Sequence, residues 1–400
     1  IDEETRDRVM RQARRWSDRY RTLKKEGLTE AQILKTFSRP GKMRVFAYNK
    51  KGYADTTMTP DDSIRYYKSI LRTAFVAMEP GTGHVKAYVG GPNYRYFKYD
   101  NVRQGKRQVG STIKPFLYTL AMQEGMTPCD KVVNLPQTFV LPDGNTWTPR
   151  STDKEQWIGK TVTLKWGLTN SSNNISAYLM KQFGPEAMAD MMRRMGIQSH
   201  IDEVPALCVG PADLSLWEMV AAYNTFPSRG VYIEPMFVTR IEDNQGNVIS
   251  EFTNRKREAI GENTAYLMVN LMEGVVQGGT ASRLRYRYKL MGEIAGKTGT
   301  TNDNADGWFI GYTPTLVAGI WTGAEDRQVH FQSITYGQGA HMSLPTWGIF
   351  MRKVVEDGTL GISENDRFIA PAGVSFDLNC TGGDNDATDV QQKTEDYYFE

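Results

Sequence analysis

Short β-type runs rich in apolar positions mark two hairpins near opposite ends of the central chain. Ala74–Glu79 and His84–Val89 are short β-type runs on either side of Pro80-Gly81-Thr82-Gly83, a sequence suited to a tight reversal. Asp306–Tyr312 and Leu316–Thr322 flank a second turn at Thr313-Pro314. Between the hairpins, apolar positions recur at helical spacing. They predict helices over Ile175–Phe183, Pro185–Met195 (stopped by Gly196), Leu214–Phe226 and Glu262–Val276, with a last amphipathic helix at Leu344–Val355. Strands at both ends of a segment with helices between imply an α+β domain. The two hairpins are expected to join in one antiparallel sheet covered by the intervening helices.

The first 70 residues follow another pattern. Residues 1–26 are arginine-rich, with Val9, Met10, Trp16, Tyr20 and Leu23 as the apolar minority, and predict a solvated helix ending near Gly27. A short helix over Thr29–Phe37 stops at Arg39-Pro40-Gly41, and Met43–Tyr48 reads as a strand. Thr59-Pro60 opens another helix, with proline at the favoured first position, running to about Arg72. Residues 1–70 are assigned as a linker or accessory region and 71–372 as the main domain. Residues 373–400, rich in Asp, Gly and Thr, are expected to be a loosely ordered tail.

Composition narrows the chemistry. With 40% hydrophobic and 24% charged residues among 400, the chain is an ordinary globular one, and its core needs no metal or disulfide staple. A formal charge of +2 provides no global field for nucleic acid or a membrane surface. Cys129, Cys208 and Cys380 are too scattered for a disulfide framework or zinc site and read as incidental or structural thiols. His84, His200, His330 and His341 show no metal-ligand spacing. No phosphate loop, dinucleotide fingerprint or Gly-x-Ser-x-Gly elbow is present, so no cofactor and no metal is expected.

Three short segments carry the candidate chemistry. In Gly110-Ser111-Thr112-Ile113-Lys114-Pro115, a serine and a lysine three apart share one helical face. A neutral lysine amine can activate a weakly nucleophilic hydroxyl. Pro115 is tolerated only in a first turn, so the helix should begin close to Ser111, where free N–H groups and the helix dipole favour an oxyanion. The second segment, Ser171-Ser172-Asn173, is a loop or helix cap that could supply a proton shuttle at Ser171 and an amide anchor at Asn173. The third is Gly296-Lys297-Thr298-Gly299-Thr300, which follows Met291–Ala295, precedes the Asp306 hairpin and is expected to form a sheet edge. A peptide could add there as a strand, with its carboxylate held by Lys297, Thr298 and Thr300. A side chain at Gly299 is expected to project toward that peptide.

Ser-x-x-Lys, Ser-x-Asn and Lys-Thr-Gly in this order are the signature of penicillin-binding proteins and β-lactamases. The stretches Arg107–Pro115, Lys297–Asp303, Asp306–Pro314, Ala74–Gly83, Ala221–Thr225 and Gly274–Thr280 together resemble the transpeptidase domain of class A penicillin-binding proteins over roughly residues 70–355. The resemblance implies a β-lactamase/transpeptidase-like α+β fold, an antiparallel sheet of about five strands with helices on both sides. It also implies acylation of Ser111 by a D-Ala-D-Ala stem peptide and transfer to a neighbouring stem's amine, with β-lactam antibiotics as covalent ligands. In that scheme Lys114 is the base, made neutral by burial and by the cation of Lys297. Ser171 shuttles the proton, and Asn173 holds Lys114 and the substrate amide. Lys297, Thr298 and Thr300 bind the carboxylate beside Gly299. The N–H groups of Ser111 and Thr300 form the oxyanion hole. Such proteins act outside the cytoplasm, on the periplasmic face of the membrane, through an N-terminal anchor, and carry an upstream glycosyltransferase domain. Neither is legible here, so glycan polymerisation is not expected of this chain. The competing readings are a D,D-carboxypeptidase, a β-lactamase-like hydrolase with a base such as Glu186, Glu203 or Glu218, and a non-enzymatic β-lactam sensor.

Overall fold

The computed structural model describes residues 2–373 and 378–380. Its centre is a five-stranded antiparallel sheet in the spatial order Ala295–Thr300, Asp306–Tyr312, Val317–Gly323, Arg72–Met78, Val85–Val89. The two expected hairpins are present. They meet where Val317 pairs with Met78 and Gly323 with Arg72, which closes residues from opposite ends of the domain into one sheet. Ala295–Thr300 adds on the outer side of Asp306–Tyr312 and forms one edge.

Period-two alternation sends successive side chains to opposite faces, and both faces of the central strands are buried. On one face, Ile310 and Gly319 lie under helix Leu216–Tyr223; a Cβ at Gly319 would stand 2.2 Å from Val220. On the other, Phe309 and Gly311 meet Trp347 of the C-terminal helix Leu344–Glu356, whose indole N–H donates to the Ala318 carbonyl at 3.1 Å. Helix Lys114–Gln123 is buried all round from Lys114 to Met122, as expected of a helix enclosed by others. Asn173–Phe183, Pro185–Arg194 and Glu262–Gln277 surround it and share one apolar core with the sheet.

The predicted helices stand within a few residues of their positions, with local exceptions. The first breaks at Ser17, which caps the next helix by accepting from Tyr20 N–H, giving Glu3–Trp16 and Asp18–Lys25. The helix from Pro60 ends at Ser69, because Arg72 is drawn into the sheet and donates to Glu325 at 2.7 Å. Residues 231–258 contain two small ribbons that were not predicted, Val231–Ile233 with Lys256–Glu258 and Arg240–Glu242 with Val248–Glu251.

The reading of three unpaired thiols is corrected. Cys129 and Cys380 are joined in a disulfide across 251 residues of sequence, and Cys208 is a buried free thiol. Partners so distant in sequence become neighbours only once the chain has folded, so spacing could not reveal them. The expected tail lies outside the described residues except for Gly373 and 378–380.

Candidate active site

The segment that carries the candidate nucleophile is held from both sides before it reaches Ser111. Lys106–Gln108 pairs with Asp213–Ser215, Arg107 donates to the buried Asp306 at 2.6 Å, and Trp308 Nε1 donates to the Gln108 carbonyl at 2.8 Å. Gly110 then takes a left-handed φ of 52° and lies so close to the edge strand that a Cβ would stand 2.4 Å from the Thr300 carbonyl. Ser111 sits in a 3₁₀ turn, Gly110–Ile113, that feeds the α-helix from Lys114, with Pro115 in its first turn. The helix therefore starts three residues later than Ser111, while the serine keeps its place at the N-terminal end.

Lys114 is wholly buried. Its Nζ donates to the Ser171 carbonyl at 2.5 Å and to Asn173 Oδ1 at 2.7 Å, and lies 3.4 Å from Ser171 Oγ. Lys297, equally buried, donates to the same Ser171 Oγ at 2.9 Å and to the Thr298 carbonyl at 3.1 Å. One hydroxyl thus stands between two amines. Ser171 occupies that position with a φ of 58°, a conformation that costs a non-glycine residue about 1–2 kcal/mol and is held here by its surroundings.

Burial lowers the Lys114 amine from its ordinary value to about 7, with Cys208 and Asp153 acting in the opposite direction. Burial also pushes the Cys208 thiol up to about 12, so it is neutral at pH 7 and Asp153 is left as the charged neighbour opposing the shift. Lys297 is held well below the usual lysine range, by burial first and by repulsion from Lys114 second. Burial is the largest cause for both lysines, and the repulsion expected between the two amines adds to it.

Other expected residues come to the site with changed partners. Asn173 does hold Lys114, but its Nδ2 donates to the Arg150 carbonyl at 2.9 Å, leaving one N–H for other contacts. Thr298 Oγ1 lies 2.6 Å from Thr280 Oγ1, and Thr300 Oγ1 accepts from Gly339 N–H at 3.0 Å. Gly299 reverses the expectation. A Cβ there would meet the Val109 carbonyl at 2.7 Å, Thr112 Cγ2 at 2.8 Å and Trp308 Cβ at 3.0 Å. It faces the nucleophile turn inside the protein, so its glycine is required by packing and not by an approaching peptide.

Thr280, Asp153 and Cys208 were missed by sequence reasoning as neighbours of the site. Thr280 fell within a segment already noted, Gly274–Thr280, whereas Asp153 and Cys208 carried no local signal. Among the described residues, no group of His, Cys, Asp and Glu could hold a metal ion, and no helix is long and apolar enough to cross a membrane.

A five-stranded antiparallel sheet whose edge strand packs on the turn that carries Ser111 is the β-lactamase/transpeptidase-like fold. Within that fold, residues 73–321 match the penicillin-binding protein transpeptidase domain, and residues 1–71 match the penicillin-binding protein middle domain. The chain belongs to the penicillin-binding protein transpeptidase family, as its motifs led us to expect. It is similar to penicillin-binding protein 2D of Bacillus subtilis, with 33% identity over 319 residues covering 77% of this chain and 44% of that protein. Similarity to penicillin-binding protein 1A of Aquifex aeolicus is 29% over 285 residues, covering 71% and 38%. The solved penicillin-binding protein PonA1 of Mycobacterium tuberculosis superposes with a TM-score of 0.62 at 26% identity, covering 76% of this chain and 81% of that one. A PonA1 structure in complex with penicillin V is also known. The chain spans less than half the length of the curated relatives it matches.

Proposed function

We propose that this chain is the acyl-transferring unit of a serine D-Ala-D-Ala transpeptidase that cross-links peptidoglycan stem peptides and is acylated by β-lactams. The observation that carries the reading is the buried Lys114 amine, lowered to about 7. It lies one helical turn from Ser111 and is linked through the Ser171 hydroxyl to Lys297.

Each step uses a group in that network. Ser111 Oγ attacks the carbonyl of the penultimate D-Ala, and its proton passes to neutral Lys114 Nζ. The N–H groups of Ser111 and Thr300 receive the oxyanion. As the peptide C–N bond breaks, a proton moves through Ser171 to the leaving D-Ala amine. Asn173 keeps Lys114 oriented and offers its remaining N–H to the substrate amide. Lys297, Thr298 and Thr300 receive the terminal carboxylate, with Gly299 allowing the strand to close on the nucleophile turn. The amine of a neighbouring stem then attacks the acyl-enzyme, its proton returns through Lys114, and Ser111 is released.

The partners of Glu218 and Glu203 favour transfer over hydrolysis with either of them as base. Glu218 accepts from Gln198 N–H, Ser199 and Ser215, and Glu203 is paired with Arg193 at 2.7 Å. Glu186 belongs to the first turn of helix Pro185–Arg194. Glycan polymerisation lies outside the proposal, because the matched families are a middle and a transpeptidase domain. The setting we propose is the extracytoplasmic face of the cytoplasmic membrane, where the stem peptides are.

Incubation with penicillin tests the reading by intact-mass spectrometry. Ring opening forms the Ser111 Oγ–carbonyl bond and breaks the lactam C–N bond, so the whole drug mass is retained. One long-lived adduct is expected, absent in Ser111→Ala. Rapid release of opened drug by the parent would instead assign a β-lactamase-like hydrolase.

A further inference from the structure

The turn that holds Lys114 is itself held, and the residues responsible are four in a row. Residues 150–153 run alongside residues 171–174 and bond to them one by one. Asn173 Nδ2 donates to the Arg150 carbonyl at 2.9 Å, and Asn174 Nδ2 donates to Ser151 Oγ at 3.4 Å. Thr152 Oγ1 donates to the Ser171 carbonyl at 3.4 Å, and Ser172 Oγ donates to Asp153 Oδ2 at 2.6 Å. The last is the shortest of the four and the only one with a charged partner, which makes it the strongest of the set.

Its position gives it leverage. Ser172 is completely buried, and its Oγ accepts from Ile175 N–H at 3.3 Å as the N-cap of helix Asn173–Phe183. The hydroxyl has one proton to give, and Asp153 receives it. That carboxylate stands at the N-terminal end of the helix, where a negative charge is favourable. The residues on either side of Ser172 are the two that hold Lys114: Ser171 through its carbonyl and Asn173 through Oδ1. Ser171 is also in the left-handed conformation, which a free turn would relax.

We propose that Asp153 is a positioning residue for acyl transfer: through Ser172 it locks the turn whose flanking residues hold the Lys114 amine in place. The inference rests on the acyl-transfer reading above. It adds an electrostatic consequence. The charged or titratable groups facing Lys114 are Lys297 from the edge strand, Cys208 from the turn Pro205–Val209 and Asp153 from this loop. With the thiol neutral, Asp153 is the group that favours the protonated amine. Removing its charge therefore lowers the pH at which Lys114 loses its proton.

Two variants separate the positional and the electrostatic parts. Penicillin acylation of the full chain is followed from pH 5 to 9 by labelled drug, beside a thermal melt. In Asp153→Ala the Ser172 hydroxyl has no acceptor, and the plateau rate is expected to fall by about tenfold, the effect of a lost hydrogen bond to a charged group. Asp153→Asn keeps an acceptor oxygen, so much of the plateau should return, while the acid limb moves to lower pH than in the parent. A purely structural role would leave that limb in place. Parent-like plateau and limb in both variants overturn the proposal, as does an Asn variant with an unmoved limb, even if Ala fails to fold. A parent that forms no adduct on Ser111 overturns the underlying reading instead, which a silent pair of variants with an active parent does not.

Discussion

Charges are handled in opposite ways in the N-terminal region and at the site. In residues 2–70 the arginines pair with carboxylates at the surface: Arg44 with Asp55, Arg15 with Glu30, Arg65 with Asp62. The apolar residues there form only small clusters, Tyr20 with Ile33 and Phe37, and Phe46 with Ile70 and Phe97. At the site, Lys114 and Lys297 are buried completely, and the contacts of both are neutral oxygens. Exposed ion pairs contribute little, because water screens them and ordering two long side chains opposes them. Buried amines without a carboxylate cannot remain fully charged, so their protons become available for chemistry. The difference separates charge displayed at a surface from charge whose loss the proposed reaction would use.

The largest effect should come from breaking the buried side of that contrast. Lys114→Arg keeps a cation but removes the base. Acylation by penicillin should fall by about 10²–10⁴-fold, the contribution of general-base catalysis. On the proposed mechanism the neutral Lys114 amine is the active form, and burial lowers it to about 7. The acylation rate should therefore rise with pH up to about 7 and level above it, losing about tenfold per unit on the acid side.

Next in size is the ion pair beneath the nucleophile strand. Asp306 is 1% exposed and binds both Arg107 and the Trp321 indole. Asp306→Ala leaves a buried guanidinium uncompensated, and chemical denaturation should show a loss of about 3–5 kcal/mol. A loss below about 1 kcal/mol, the range of surface pairs, would erase the distinction between the regions.

Gly299→Val tests which way the edge strand faces. The added atoms would enter the space of Val109, Thr112 and Trp308, so a loss of about 3 kcal/mol is expected in the same assay. A variant that melts like the parent yet fails to acylate would place the glycine on the substrate side after all. The smallest effect should be Arg65→Ala, whose partner Asp62 is half exposed. Its melting temperature should be within error of the parent's.

Elements and chemical inventory are encoded over short stretches of the chain. Turn residues, proline at first helical positions and the two hydrophobic periods act over a few residues, so the hairpins at Pro80 and Pro314 and the helices after Pro60 and Pro185 were legible. Ser111, Lys114, Ser171, Asn173 and Lys297 could be named as candidates from their types and order. Lys114, Ser171, Asn173 and Lys297 come together only in the folded chain. Lys297 reaches Ser171 across 126 residues, and the direction of Gly299 follows from the register that pairs it with Trp308. Asp153 lies 19 residues from Ser172, and Cys129 lies 251 from Cys380. No local pattern encodes such distances. The depressed amine of Lys114 has the same origin, since desolvation is a property of everything packed around a group and not of the residues beside it in the chain.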